Sequence, residues 1–218
     1  MVYRPTEKTQ ARKAALKKQL LDAALLLVAT GGFGALTIQA VAQQAGIATG
    51  AGYKHFESKA QLCAEVFRLA TEKEVAMVRE TALREGAPAT RLLDTIETFA
   101  KRALRGQRLA YALIAEPVDN LVDAERLRYR QDYADIFRQL VEQGIGSGDF
   151  APQVSAVSAA ALVGAITESL VGPLSWQMNA RPSMEQTRLI RSIQAFCLRA
   201  VAMKTPDHEN WVADPSKA

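Results

Sequence analysis

Residues 37–59 read TIQAVAQQAGIATGAGYKHFESK, and this stretch carries the most specific structural pattern in the sequence. A short helix is predicted to begin at Thr37, a good N-cap residue, because the apolar residues after it share one helical face. Gly46 permits a tight turn, and Ile47 anchors a second short helix predicted over residues 49–55. The pattern is a helix-turn-helix, whose second helix has a size that fits a DNA major groove about 12 Å wide.

A longer helix is predicted before this stretch, over residues 11–29, because apolar residues recur there at three- and four-residue spacing. Gly31 and Gly32 end it, since glycine accepts the left-handed conformation of a helix terminus. Phe33 is then expected to enter the core beneath the helices.

The sequence beyond residue 58 also predicts helices. Ser58 and Gln61 form a capping-box pattern at the start of a helix predicted over residues 58–84. Further helices are predicted over residues 90–104, 108–115, 122–143, 155–177 and 183–203. The glycine-rich run 144–149 is predicted to stop one of them.

Composition and charge narrow the class of protein. The 218 residues are 49% hydrophobic and 23% charged, which is ordinary for a soluble globular chain. Residues 1–59 hold eight basic and three acidic residues, a balance of +5, whereas residues 60–218 hold nineteen basic and twenty acidic residues. The net charge of +4 therefore comes from the front of the chain, and a concentrated positive face is what binding to a phosphate backbone requires.

Other classes of protein leave no signal in the sequence. The two histidines, and the lack of HExxH, GxSxG, Walker and clustered-cysteine motifs, argue against an enzyme, a cofactor and a metal site. Cys63 and Cys197 are predicted to be buried thiols, with a redox pair as the alternative. The start lacks signal-peptide features, and the apolar runs 23–29 and 159–166 are shorter than the ~20 residues of a membrane span, so we expect a cytoplasmic protein without a membrane partner.

The stretch 20–62 resembles the tetracycline-repressor (TetR/AcrR) family. The shared features, in order, are Gly32-Phe33, Thr37, the turn Ala45-Gly46-Ile47, Tyr53, His55-Phe56 and Ser58-Lys59. The rest of the chain matches that family only in helix number and layout. The resemblance implies an all-α fold, with a three-helix DNA-binding domain (1–62), a larger helical ligand-binding and dimerisation domain (63–204) and a polar tail (205–218).

The resemblance also implies which residues contact DNA. Phosphate contacts are expected from Thr37, Tyr53, His55 and Lys59. Contacts with base edges or the adjoining backbone are expected from Gln39, Ala48, Thr49, Gly50 and Lys54. Two positions depart from the family pattern, because Ala48 replaces a Ser or Thr and Gly52 replaces a large apolar residue. We therefore expect a loose recognition helix that orders on DNA, or a neighbouring Phe33 or Phe56 that fills the space.

Apolar faces on the later helices predict a core and, by the resemblance, a ligand cavity within it. The residues expected to line that cavity are Phe99, Tyr111, Ile114, Glu116, Tyr133, Phe137, Ile166 and Trp176. Small residues at 156, 159, 160, 164 and 165, together with residues 189, 193, 196 and 200, predict helices that pack in a homodimer interface, or alternatively within one chain.

The function implied is that of a dimeric regulator, most simply a repressor, that binds a palindromic double-stranded DNA operator and is released by an unknown, at least partly apolar small molecule. The alternatives are a helical DNA-binding protein without ligand control, an all-α enzyme, a DNA-architectural or recombination protein and a helical protein–protein module. The basic front of the chain argues against the last of these, and the long second domain argues against the architectural protein.

Overall fold

The computed structural model describes residues 7–52, 54–175 and 183–202, and the regular elements in those ranges are helices apart from one isolated β-bridge. The helices are α1 (Glu7–Gly31), α2 (Ile38–Gln44), α3 (Thr49–Gly52), α4 (Lys59–Ala82), α5 (Pro88–Arg105), α6 (Gln107–Ile114), α7 (Asn120–Ser147), α8 (Ser155–Leu174) and α9 (Ser183–Val201). The predicted all-α class is confirmed.

The first three helices form the predicted helix-turn-helix unit. At the end of α1, Gly32 has a φ of +73°, which lets the chain turn into the 3₁₀ turn Phe33–Ala35. Phe33 is buried, as predicted, and its ring stacks on that of Phe67 with 6.2 Å between centroids. The left-handed φ of +68° at Gly46 makes the turn between α2 and α3.

The remaining helices form a bundle, and α4 and α6 of that bundle contact α1. α7 packs against α4, α5 and α8, while α9 packs against α5 and α8. One cluster of buried apolar side chains runs from Leu20 in α1 to Val201 in α9. The domain boundary proposed at residue 62 falls inside α4, which is continuous across it, so the boundary remains a proposal.

The prediction that residues 144–149 stop a helix is wrong at its start, because α7 continues to Ser147. Gly144 is buried inside the helix, and a Cβ atom there would collide with the ring of Phe150. This glycine makes room for an aromatic side chain, and Gly148, with a φ of +81°, is the residue that ends α7. The predicted tail, 205–218, lies outside the described residues.

α8 is more apolar over its length than the run 159–166 suggests. By length and composition alone this 20-residue helix could cross a membrane. In the structure α8 packs against α5, α6, α7 and α9, so it is also a helix of a bundle. Both predicted thiols, Cys63 and Cys197, are free and buried.

Candidate nucleic-acid interface and buried cavity

The residues predicted to contact DNA are gathered on the helix-turn-helix unit. The exposed ones are Thr37, Gln39, Ala48, Thr49, Gly50, Lys54 and Lys59. His55 is half-buried, and Tyr53 lies outside the described residues. The second helix is shorter than predicted, because the chain turns at Lys54 and His55, within the range predicted to be helical.

Two side-chain caps fix the helices that carry this surface. The hydroxyl of Thr37 accepts a hydrogen bond from the Ala40 amide at 3.0 Å at the start of α2. Ser58 does the same for the Gln61 amide at 3.1 Å, while Gln61 Oε1 accepts from the Glu57 amide at 2.7 Å. The predicted capping box is thus present, with its return bond one residue earlier than the usual position. Lys59 consequently stands at the start of α4, where the helix dipole favours an anion.

The turn between the two short helices is braced from α1. Gln19 Nε2 donates to the carbonyl oxygen of Ala45 at 2.8 Å. Ala48, the residue before α3, has no side-chain oxygen that could cap that helix, unlike the Ser or Thr that it replaces in the family pattern.

The space beside Gly52 is filled by a residue that the sequence did not single out. A Cβ atom at Gly52 would lie 2.9 Å from Cγ2 of Ile38, whereas one at Gly50 would meet nothing within 4 Å. Neither Phe33 nor Phe56 is the neighbour of that space; Ile38 of α2 is. Gly52 therefore lets α2 and α3 approach closely.

Two lysines of α1, Lys13 and Lys17, lie near His55. Burial is the largest cause that lowers its pKa, and the charges of Lys13 and Lys17 lower it further. The imidazole is therefore neutral at pH 7, and its Nδ1 is buried without a partner among the described residues. Lys13 is exposed and carries no ion pair in the described part of the chain, so it adds positive charge beside His55. The basic run 12–18 is the feature of the sequence that could have indicated a role for Lys13.

A partly enclosed cavity of about 120 Å³ lies between α4, α5, α6, α7 and α8. Of the residues predicted to line a ligand site, Phe99, Ile114 and Tyr133 lie on this cavity. The rings of Phe99 and Tyr133 meet edge to face, with 5.1 Å between centroids.

The other predicted lining residues lie elsewhere, and the structure corrects those assignments. Phe137 and Ile166 are fully buried core residues, since they fill the packing between helices rather than a cavity. Tyr111 lies beside Arg108, whose guanidinium carbon is 5.9 Å from the ring centre. Trp176 lies outside the described residues.

Some polar side chains that line the cavity have ion-pair or hydrogen-bond partners in the described part of the chain, and a buried hydroxyl there does not. Arg102 forms a bidentate pair with Glu74, at 2.5 and 2.9 Å. Arg126 donates to the carbonyl oxygens of Leu113, Ala112 and Glu116 and pairs with Asp123 at 2.8 Å. In contrast, the Thr71 hydroxyl is buried and has no partner among the described residues. Sequence reasoning missed Thr71, because a threonine inside a helix carries no signal of its own.

Glu116 has a different position from the predicted one, because it reaches the helix-turn-helix unit. Its Oε1 accepts a hydrogen bond from the Gly34 amide at 3.2 Å, and its Oε2 lies 3.3 Å from Nη2 of Arg108. Arg108 in turn donates to the carbonyl oxygen of Gly31 at 2.8 Å. A Cβ atom at Gly32 would collide with both side chains. We call Arg108 and Glu116 the corner clamp, because they hold the corner between α1 and α2 against α6.

Comparison with known proteins places the chain in a family. A family model described as bacterial regulatory proteins, tetR family, matches residues 20–66. The HTH-type transcriptional repressor KstR2 of Rhodococcus jostii (strain RHA1) is 30% identical over 142 residues, which are 63% of this chain and 69% of that protein. The chain belongs to the tetR family of bacterial regulatory proteins.

Other proteins similar to this TetR-family chain are also named as regulators. The HTH-type transcriptional repressor KstR of Mycolicibacterium smegmatis (strain ATCC 700084 / mc(2)155) is 36% identical over 97 residues, 44% of this chain and 48% of that protein. Among solved structures, the fatty acid degradation regulator FadR of Bacillus halodurans covers 84% of this chain and 94% of its own, with a TM-score of 0.71 and 17% identity.

A second solved structure is the transcriptional regulator FadR of Bacillus subtilis in complex with stearoyl-CoA. It has a TM-score of 0.69 and 19% identity, and covers 84% of this chain and 98% of its own. At such identities the likeness shows the fold. The names of the sequence relatives are those of regulators rather than enzymes.

Proposed function

We propose that this TetR-family chain is a repressor that binds a palindromic DNA operator as a homodimer and releases it when a small molecule enters the cavity between α4 and α8. The observation that carries the proposal is the exposed row Thr49, Gly50 and Lys54 at the second helix of a helix-turn-helix, within the residues that match the family. The repressors KstR2 and KstR support the same function, which acts on DNA in the cytoplasm.

In this proposal the side chains divide between phosphates and bases. Thr37, Tyr53, His55 and Lys59 contact phosphates and fix the register of the protein on the duplex. The base edges and the adjoining backbone are contacted by Gln39, Ala48, Thr49, Gly50 and Lys54. The lysines exposed near α1 and α3 supply the salt-dependent attraction that every such contact needs.

The corner clamp connects the cavity with the helix-turn-helix unit. Leu109, Leu113 and Ile114 of α6 line the cavity, and the clamp residues, Arg108 and Glu116, flank the same short segment. A molecule that moves α6 therefore moves the corner between α1 and α2. Because such a molecule binds one position of α6 better than the other, it shifts the population away from the spacing that fits the operator.

The homodimer is proposed from the outer faces of α8 and α9. Val157, Ala160, Ala161 and Gly164 of α8 are exposed along one stripe. Phe196 of α9 is 56% exposed, although it is large and apolar. Small residues let two helices approach closely, and a two-fold pair would set two recognition helices about 34–36 Å apart, the spacing of successive half-sites.

Capture of genomic DNA by the purified protein, followed by a gel shift with candidate metabolites, tests the proposal. We expect a small set of palindromic sites and a loss of binding when the effector is added. A protein that captures DNA without regard to sequence, with the same affinity for a scrambled duplex, would not be a specific repressor.

A further inference from the structure

The apolar cavity carries one cation that nothing in the described part of the protein neutralises. Arg102 is paired with Glu74, and Arg126 is paired with Asp123. Arg130, which also lines the cavity, has no ion pair or hydrogen bond among the described residues. It is exposed, so it lies where the cavity opens to solvent.

The surroundings of Arg130 favour an anion there. Arg126 and Arg130 are four residues apart on α7 and both line the cavity. The positive charge of Arg130, together with burial as the larger cause, lowers the pKa of Arg126. An anion at the mouth relieves this repulsion, and a guanidinium binds a carboxylate or phosphate through two parallel hydrogen bonds.

The interior of the cavity adds a second constraint. Thr71 is only 5% exposed and its hydroxyl has no partner in the described part of the chain. A buried hydroxyl without a hydrogen bond is costly, so a polar oxygen on a bound molecule would satisfy it. Tyr133 supplies a further donor, because burial raises the pKa of its phenol and keeps it protonated.

Size limits the apolar part of the ligand. A cavity of about 120 Å³ is below the roughly 300–1,000 Å³ of sites for drug-sized ligands. An apolar cavity of about 150 Å³ accommodates benzene, so a space of about 120 Å³ is of the size class of a single six-membered ring and too small for several rings.

We propose that the effector is a compact amphipathic anion, with a ring-sized apolar body that carries a polar oxygen near Thr71 and an anionic group held by Arg130 at the mouth. This inference rests on the proposed function, because it takes the cavity between α4 and α8 to be the effector site. The anion can be the carboxylate of the ring acid or the phosphates of a larger group joined to it.

Titration calorimetry on the full chain, without DNA, tests the anion. The probes are cyclohexanecarboxylate and its neutral analogue cyclohexanecarboxamide, with Arg130→Gln as the variant. We expect the carboxylate to bind about tenfold more tightly than the amide and Arg130→Gln to remove that preference. Arg79→Gln, an exposed arginine on α4 away from the cavity, is the matched control and should keep the preference.

A second pair of probes tests the interior oxygen. We expect 4-oxocyclohexanecarboxylate to bind more tightly than cyclohexanecarboxylate, and Thr71→Val to lose this difference while it still binds the unsubstituted acid. The coenzyme A thioester of cyclohexanecarboxylic acid tests whether Arg130 holds the carboxylate or the phosphates. If it binds more tightly than the acid, and Arg130→Gln loses that gain, the phosphates are the group that Arg130 holds.

The outcomes separate this inference from the proposed function. If the amide binds as tightly as the acid, or if no ring acid binds while specific operator binding persists, the ligand class is wrong and the repressor remains. If the acids bind with the expected preference but leave operator affinity unchanged in a gel shift, the ligand class holds and the proposed release of DNA fails.

Discussion

Lys59 shows how one exposed side chain gains meaning from its place in the fold. It is the first residue of α4 and lies next to the capping residue Ser58, so its charge adds to the positive end of a helix. Alone, a lysine at a helix start is an ordinary surface residue. Its place among the exposed residues of the segment that matches the family is what makes a phosphate contact the better interpretation.

We expect Lys59→Ala to weaken binding to all DNA sequences alike, because an interaction with a phosphate carries no sequence information. The slope of log K against log salt concentration should become shallower by about 0.9 when one phosphate is no longer neutralised. Fluorescence anisotropy with an operator and a scrambled duplex at several salt concentrations measures both effects. Lys73→Ala, an exposed lysine later in α4, is the control. A variant with reduced affinity for the operator alone would make Lys59 a residue that reads bases.

His55 gives the protein a dependence on pH. Its pKa is lowered in the folded state, chiefly by burial, so the unfolded chain binds a proton more readily than the native one. The stability contributed is complete above the unfolded pKa of about 6.5 and declines as the pH falls below that value towards the folded pKa.

We therefore expect the free energy of unfolding in urea to fall less between pH 7.0 and pH 5.5 in His55→Gln than in the parent protein. The same experiment on His208→Gln serves as a control, since it removes the second of the two histidines in the sequence. Equal pH dependence in His55→Gln and the parent would show that this imidazole titrates as it does in the unfolded chain.

Among the elements, α3 departs most from its sequence pattern. Glycines at 50 and 52 each disfavour a helix by roughly 0.5–1 kcal/mol relative to alanine, and the chain already turns at Lys54. Gly52 nevertheless suits the packing, because a Cβ atom there would lie only 2.9 Å from Cγ2 of Ile38. The loose recognition helix that the sequence suggests remains a prediction, whereas the close packing of α2 on α3 is observed.

We expect Gly52→Ala to lower the free energy of unfolding by about 1 kcal/mol, because the cost of overpacking exceeds the gain in helix propensity. Gly50→Ala, where a Cβ meets nothing, should instead raise it by roughly 0.5–1 kcal/mol. In an Ile38→Leu background, which lacks the colliding methyl group, Gly52→Ala should lose most of its penalty. Urea denaturation of the parent, Gly52→Ala, Ile38→Leu and the double variant gives the coupling free energy between the two positions. Additive effects would contradict the close approach of Gly52 and Ile38.

The sequence predicted the helices better than it predicted their ends. Apolar spacing, caps and turn residues together indicated every α-helix of the described ranges, and Thr37, Ser58 and Gly46 each have the capping or turn role expected of them. The stop predicted at 144–149 failed at Gly144, because its space is taken by Phe150, six residues further on. Such packing of one ring against one glycine leaves no periodic signal.

At the scale of the whole molecule, the residues that line the cavity were predicted only in part, because contacts between distant side chains leave no periodic signal in the sequence. Phe99, Ile114 and Tyr133 line it, yet so does Thr71, which no pattern indicated. Helix faces can be read from spacing, but which of them leaves a space depends on side chains from five helices at once. Glu116 was expected to line the cavity, and its hydrogen bond with Gly34, 82 residues earlier, is visible only in three dimensions.

The corner clamp should control how firmly the first unit is held to the bundle. We expect Glu116→Ala to speed amide hydrogen exchange at Gly34, whose N–H loses its acceptor, while the α7 amides keep their protection. Glu97→Ala, which removes the exposed ion pair with Lys101 on α5, is the control and should leave Gly34 unchanged. Unchanged exchange in Glu116→Ala would separate the clamp from the stability of the corner.

The dimer proposed on α8 and α9 depends on apolar side chains that the single chain leaves in solvent. Val157 is 66% exposed on the small-residue stripe of α8, and the apolar character that makes this helix resemble a membrane span is what a subunit interface also requires. We expect Val157→Arg to yield a monomer in sedimentation velocity and to lose tight operator binding, because a monomer reads one half-site alone. Leu127→Arg makes the same change at a 70% exposed site on α7 and should remain a dimer. If Val157→Arg stayed dimeric, or if it became monomeric with undiminished operator affinity, the α8–α9 face would not be what spaces the two recognition helices.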